Sequence, residues 1–257
     1  MKLPARLLVI QFALVFLPLA GWSETNPNPA QYETTNGGYG QIEDGAIVEG
    51  STRHGGIQPD YTVNLNEEPL KTLMETAAKI GKDKSLGFWD KVGAVRSLVR
   101  GDFFIYYEYY NPYYRRLLKK YRDKGEKVPL AEYGVCGAGV CREYAMVFHF
   151  ALKAAGIPND HAYAHIYRAS NWEGFEHWED HAFNVVKYRN QKWVVDAFYW
   201  GFNGYLLSDL MSEKGITEHS KTAPIADPGP GSRRIIHIND FPVVYNPKVP
   251  LCRNVFH

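Results

Sequence analysis

The chain has 257 residues, 45% hydrophobic and 22% charged, with 29 lysines and arginines against 28 aspartates and glutamates. That balance supports a packed core and excludes an intrinsically disordered chain. A net charge of +1 gives no electrostatic reason to expect nucleic acid as a partner.

The chain opens on "MKLPARLLVIQFALVFLPLAGWSE", where Lys2 and Arg6 precede an apolar run from Leu7 to Gly21 and small residues near Ser23. This pattern predicts a cleaved signal peptide over residues 1–23. The run is shorter than the roughly 20 residues that span a bilayer, and Pro18 interrupts it, so no stable membrane insertion is expected after cleavage. Removal of Lys2 and Arg6 leaves two fewer bases against 28 acids, a net charge of −1. The expected location is periplasmic or secreted. Residues 24–62 are rich in Asn, Gly, Pro and Thr without hydrophobic periodicity, and read as a flexible leader before a domain at 63–257 with its core at about 85–205.

Helical spacing begins in "EEPLKTLMETAAKI", through Leu70, Leu73, Met74, Ala77 and Ile80, with Pro69 in the first turn. A second helix is expected over "GFWDKVGAVRSLVR", with Trp89, Val92, Val95, Leu98 and Val99 on one face. Tyr106, Tyr107, Tyr109, Tyr110, Tyr113 and Tyr114 then crowd around Pro112, either as an aromatic platform for peptide or sugar or as the packing of a helix pair. The basic run from Arg115 to Arg122 reads as a solvated helix face.

A further helix starts at Cys141, with Tyr144, Ala145, Phe148, Ala151, Leu152 and Ala155 on the same stripe and a stop signal at Gly156 and Pro158. "HAYAHIYRA" alternates like a strand, and the polar, aromatic "SNWEGFEHWED" reads as a loop, in which Trp172, Phe175 and Trp178 are expected to roof a cleft or pack on the domain. "HAFNVVKY" and "KWVVDAFYW" read as an antiparallel hairpin, and "RIIHI" as a short late strand.

Three cysteines, Cys136, Cys141 and Cys252, leave one unpaired if the chain is exported. Cys141 opens a helix, where unpaired N–H groups and the helix dipole favour a thiolate, and its backbone N–H could donate to an oxyanion. The preceding "GAGV" lets a substrate carbonyl approach. Cys136 has none of these features and is expected to be structural, bridged to Cys252. A thiolate nucleophile needs an imidazole to move the proton and a carboxylate to fix its tautomer. His181 opens one strand and Asp196 ends the next. A two- or four-residue turn would place His181 opposite Phe198, with Asp196 as a diagonal neighbour on the same face, about 7 Å away.

Cysteine opening a helix in "GVCREYA", histidine in "DHAFNVV" and aspartate in "KWVVDAFY" together resemble the transglutaminase-like superfamily of papain-like cysteine enzymes, over roughly Trp89 to Trp200. The resemblance implies an α+β papain-like fold, with N-terminal helices and a central helix on an antiparallel sheet. It also implies Cys141 as nucleophile, His181 as base and acid, and Asp196 as orienter. The family often has a tryptophan after the histidine, where this chain has Ala182 and Phe183. The chemistry implied is acyl transfer on a peptide or protein amide, with hydrolysis preferred and protein-glutamine transamidation the alternative. No cofactor is expected. His161, His165, His177 and His181, with Glu179 and Asp180, could in principle bind zinc, but a strand or loop setting is not the helical arrangement of such sites, so no metal is expected. A non-catalytic peptide- or glycan-binding module on the same fold is the reading from another class.

Overall fold

The computed structural model describes residues 29–30, 39–48, 58–106, 111–169, 176–199, 202–210 and 234–239. Short strands β1 (Pro29–Ala30), β2 (Tyr39–Gly40), β3 (Ile47–Val48) and β4 (Tyr61–Thr62) precede helices α1 (Leu70–Lys82) and α2 (Phe88–Leu98). A π-helical turn (Val99–Phe103), α3 (Pro112–Arg122), β5 (Val128–Pro129) and α4 (Leu130–Cys136) lead to α5 (Cys141–Ala154). The remainder is β6 (Asn159–Ala169), β7 (Glu176–Tyr188), β8 (Gln191–Val195), β9 (Tyr205–Leu206), α6 (Leu207–Leu210) and β10 (Arg234–Asn239). This is the expected α+β arrangement, helices first and antiparallel sheet after.

The larger sheet runs β10-β6-β7-β8-β9, with β2 also paired to β6, and all its pairs are antiparallel. The smaller one, β1-β3-β4-β5, consists of two-residue pairings. β7 and β8 are joined by a two-residue turn in which Arg189 and Asn190 have φ of 50° and 60°. Two left-handed residues in succession make the tight turn whose twist suits a hairpin. The pairs Tyr188 with Gln191 and Asn184 with Val195 then fix the register expected for such a turn.

α5 is the centre of the molecule: every residue from Cys141 to Leu152 is buried, the polar ones included. A helix buried all round lies inside a layered core, here between the sheet and α1, α2 and the π-helical turn. Phe148 is fully buried, and its truncation to alanine would cost about 3–5 kcal/mol.

Three elements differ from the expectation. α4 forms where only a glycine-rich approach to Cys141 was anticipated, so Cys136 ends a helix; seven residues are too short a window for periodicity to register. β7 begins at Glu176, so the segment read as a loop supplies strand residues: Glu179 and Asp180 pair with Ile166 and His165 of β6. Backbone pairing to β6 offsets the polar composition there. Residues 39–48 and 58–62, placed in the flexible leader, are joined to the domain. Gln41 Nε2 donates to the Asn159 carbonyl at 2.5 Å and to Asp160 Oδ1 at 2.6 Å, and Ile42 N–H donates to His149 Nε2 at 3.3 Å. Ile42, Val48, Tyr61 and Val63 are buried. That attachment rests on main-chain pairing and single clasping side chains, which carry no periodic signal. Among the described residues no helix is long and apolar enough to cross a membrane.

Candidate active site

The approach to Cys141 is shaped by two glycines. Gly137 takes φ of 66° to end α4, with Gly137 N–H donating to the Gly134 carbonyl at 3.0 Å and Ala138 N–H to that of Tyr133 at 3.1 Å. A Cβ on Gly139 would stand 2.9 Å from the ring of Phe104, so only glycine lets the chain pass that ring. Phe104 stacks on Tyr144, centroids 4.0 Å apart, one turn into α5. The chain then enters α5 at Cys141, which is buried.

The start of α5 is held by a carboxylate. Glu143 Oε2 accepts the Val140 N–H at 2.9 Å, and Glu143 Oε1 accepts from Arg142 Nε at 2.7 Å. Both side chains are wholly buried. Arg142 also donates to the Tyr133 hydroxyl at 3.3 Å and lies over the Tyr61 ring at 4.7 Å. A lone buried carboxylate two residues from a thiol would oppose ionisation of that thiol; pairing with Arg142 cancels the charge and keeps the cap. The first N–H groups of α5 point out of the helix end, where the dipole favours negative charge.

His181 stands at the same place from the other side. Its Nε2 donates to Asp196 Oδ2 at 2.5 Å, both groups buried. Tyr199 stacks on the imidazole at 4.4 Å, and Phe202 packs 5.9 Å away. Burial alone would lower its pKa, but the charge and hydrogen bond of Asp196, joined by those of the Cys141 thiol, raise it to about 10. The structure therefore brings the three predicted residues together: thiol, imidazole and carboxylate in series, with Nε2 committed to Asp196 and Nδ1 left for the thiol. Such a chain can hold a thiolate–imidazolium pair.

Asp196 is positioned by residues that the sequence did not single out. Its Oδ1 accepts the Phe198 N–H at 2.6 Å. Asn203 Oδ1 accepts the Asp196 N–H at 2.7 Å, while Asn203 Nδ2 donates to the Asp196 carbonyl at 2.9 Å and the Tyr199 carbonyl at 3.1 Å. Arg100, from the π-helical turn, donates to the carbonyls of Ala197 and Phe198 at 3.0 and 2.5 Å. The signal for Asn203 was its spacing of seven from Asp196 in a turn-rich stretch; Arg100 left none, being 97 residues distant from its partner.

Residues 90–196 match the model of the transglutaminase-like superfamily. This segment is similar to a transglutaminase-like core. The matched span starts in α2 and ends on Asp196, so it encloses Cys141 and His181 as well. Among solved structures, one from Cytophaga hutchinsonii described as a "Putative Cysteine Protease" is similar at 18% identity and a TM-score of 0.34. The alignment covers 50% of this chain, which spans 37% of that one. No curated protein matches the sequence.

The other candidate residues are placed differently. Among the described residues Cys136 has no disulfide partner and its thiol donates to the carbonyls of Tyr133 and Ala138; Cys252, its expected partner, lies outside the described residues. Burial pushes the Cys136 pKa up to about 11. His161 pairs across the sheet with Asn184, its ring 6.3 Å from that of His149. His165 falls opposite Asp180 and His177 opposite Arg168. Among the described residues no three His, Cys, Asp or Glu side chains are grouped to hold a metal ion. Of the expected aromatic roof, Trp172 and Phe175 lie outside the described residues, and Trp178 is a β7 residue opposite Tyr167.

Proposed function

We propose that this protein is a cysteine-dependent acyl-transfer enzyme that hydrolyses a peptide or protein amide, working outside the cytoplasm after loss of residues 1–23. The observation that carries the reading is the series Cys141, His181, Asp196, assembled at the N-terminus of a buried helix. The match of residues 90–196 to the transglutaminase-like superfamily supports it.

The Cys141 thiolate attacks the amide carbonyl, and the oxygen takes the electron pair of the C=O bond. The N–H groups at the start of α5 stabilise that oxyanion. His181, held as imidazolium by Asp196, gives its Nδ1 proton to the leaving nitrogen as the C–N bond breaks, which leaves a thioester on Cys141. Neutral His181 then takes a proton from water. The hydroxide adds to the thioester, the C–S bond breaks, and the carboxylic product leaves with the thiolate and imidazolium restored.

The test is alkylation of the unreduced protein with iodoacetamide from pH 5 to 9, with mass spectrometry identifying the labelled sulfur, followed by hydrolysis of a peptide mixture. Rapid labelling of Cys141 below pH 7 and cleavage that Cys141→Ser abolishes are expected. An inert Cys141, or cleavage that persists in Cys141→Ser, would overturn the assignment. Added amines that become attached to substrate in preference to water would make the reaction transamidation instead.

A further inference from the structure

Among the described residues, the large hydrophobic side chains that remain exposed are Ile105, Tyr106, Tyr113 and Val135, at 54%, 37%, 46% and 69%. Ile105, Tyr106 and Tyr113 lie within nine positions and Val135 follows 22 later, and the set borders one feature, the Gly137–Gly139 approach to Cys141. Ile105 and Tyr106 N–H both donate to the Gly137 carbonyl, at 2.9 and 2.8 Å, and Tyr106 forms a β-bridge with Ala138. A Cβ placed on Gly137 would meet the Ile105 side chain at 2.6 Å. The Tyr106 ring stacks on that of Tyr113, centroids 5.1 Å apart, and the Arg116 guanidinium covers Tyr113 at 4.7 Å. Val135 lies two residues before Gly137 in α4.

Exposed apolar groups scattered over a surface need no explanation, but a contiguous set does. The two tyrosines are also held, ring against ring. The Tyr106 carbonyl accepts from the Tyr144 hydroxyl at 3.2 Å, which ties the patch to the first turn of α5. Rigid aromatic anchors bind with little loss of conformational freedom. Ala138 is three residues from Cys141, a span of about 10 Å at most. A peptide whose carbonyl lies on Cys141 therefore reaches the patch with a residue close to the scissile bond.

We propose that Ile105, Tyr106, Tyr113 and Val135 form a substrate subsite that selects a large aliphatic or aromatic side chain near the amide that Cys141 attacks. The inference rests on the amide-hydrolase reading and adds the class of substrate to it. A second copy of the chain is the competing occupant, but four side chains fall well short of the roughly 800 Å² per partner that a stable interface buries.

The experiment digests an equimolar library of synthetic decapeptides with the purified protein and reads the cut sites by mass spectrometry. The wild type is expected to favour a large apolar residue at one fixed position within two residues of the cut by about tenfold over glycine. Tyr106→Ala and Tyr113→Ala are expected to reduce that preference to twofold or less. Val135→Asp, in α4, is expected to do the same and serves if a tyrosine variant fails to fold by circular dichroism. Cutting without such a preference, or a preference that survives all three substitutions, overturns the subsite and leaves the hydrolase reading intact. No cutting by the wild type overturns both. Light scattering that finds a dimer in the wild type and a monomer in Tyr106→Ala would assign the patch to a second copy.

Discussion

Arg142 is the residue whose loss should separate the electrostatics of the site from its packing. Its guanidinium holds Glu143 through Nε and a terminal nitrogen, both 2.7 Å from Oε1, and neither side chain touches solvent. Arg142→Met fills most of the volume but leaves a buried carboxylate alone, which costs about 3–5 kcal/mol. For a domain of this size that lowers Tm by about 10 °C. An uncompensated carboxylate two residues from the thiol also opposes thiolate formation at Cys141. Adding Glu143→Gln removes that charge while an amide oxygen can still accept the Val140 N–H, so the double variant should regain most of both losses. Urea unfolding gives the stability, and the pH dependence of iodoacetamide labelling at Cys141 gives the ionisation. The reasoning fails if Arg142→Met costs under about 1 kcal/mol, or if the double variant is as unstable as the single. The second result would place the loss in the contact with Tyr61 rather than in charge.

Asp196→Asn should leave the fold intact and reduce the turnover number by up to about 10⁴, because an amide can hold His181 in the wrong tautomer; stopped hydrolysis assays on a cleaved peptide would measure it. Asn203→Ala should lower turnover with little change in KM, since it frees the backbone of Asp196 at 2.7 and 2.9 Å rather than any substrate contact. An altered KM with unchanged turnover would refute that positioning role. Cys136 should resist alkylation through pH 9, with its pKa raised to about 11 by burial, while Cys141 labels. His149, lowered to about 4 mainly by burial, is neutral in the folded protein and titrates near 6.5 when unfolded. Its stabilising contribution is complete above about pH 6.5 and is lost as pH falls toward 4, and His161, lowered in the same direction, adds to the slope. Unfolding free energy measured from pH 7 to 4 should fall with it, and His149→Gln should flatten the curve.

The parts of the site legible in the sequence are those set by local rules. A helix beginning at Cys141 followed from its apolar stripe and the stop at Gly156, whereas the register that brings Asp196 to His181 was conditional on an even turn length, since a three-residue turn would put the two on opposite faces. Two consecutive left-handed residues, Arg189 and Asn190, make that turn close in two residues. What stayed hidden is long-range. Arg100 reaches the carbonyls after Asp196 across 97 and 98 positions, and Arg142 reaches back to Pro59 across 83. Neither contact has a period or a neighbour in sequence to betray it. The strand at 39–40 escaped for a related reason, since two residues of main-chain pairing leave no alternation to detect.

The Arg100 contacts fall on one side of the chemistry. Cys141 is oriented by its own helix, through Glu143 three residues from Val140, and that part of the machinery is local. Asp196 comes just after β8 has ended at Val195, where no ladder continues to fix its backbone. Its direction is set instead by Asn203 from the following turn, and the carbonyls of Ala197 and Phe198 by Arg100 from the helical layer. Orientation of His181 thus depends on how the helical layer packs against the turn after β8, whereas the thiol is held first by the Val140–Glu143 cap of its own helix, with Arg142 behind it. Substitutions that loosen that packing should therefore impair proton transfer before they disturb the labelling of Cys141. Hydrolysis and alkylation followed together through a urea series would reveal the order: turnover falling at lower denaturant than the loss of Cys141 reactivity is expected, and a coincident loss would show that thiol and imidazole are held by one cooperative unit.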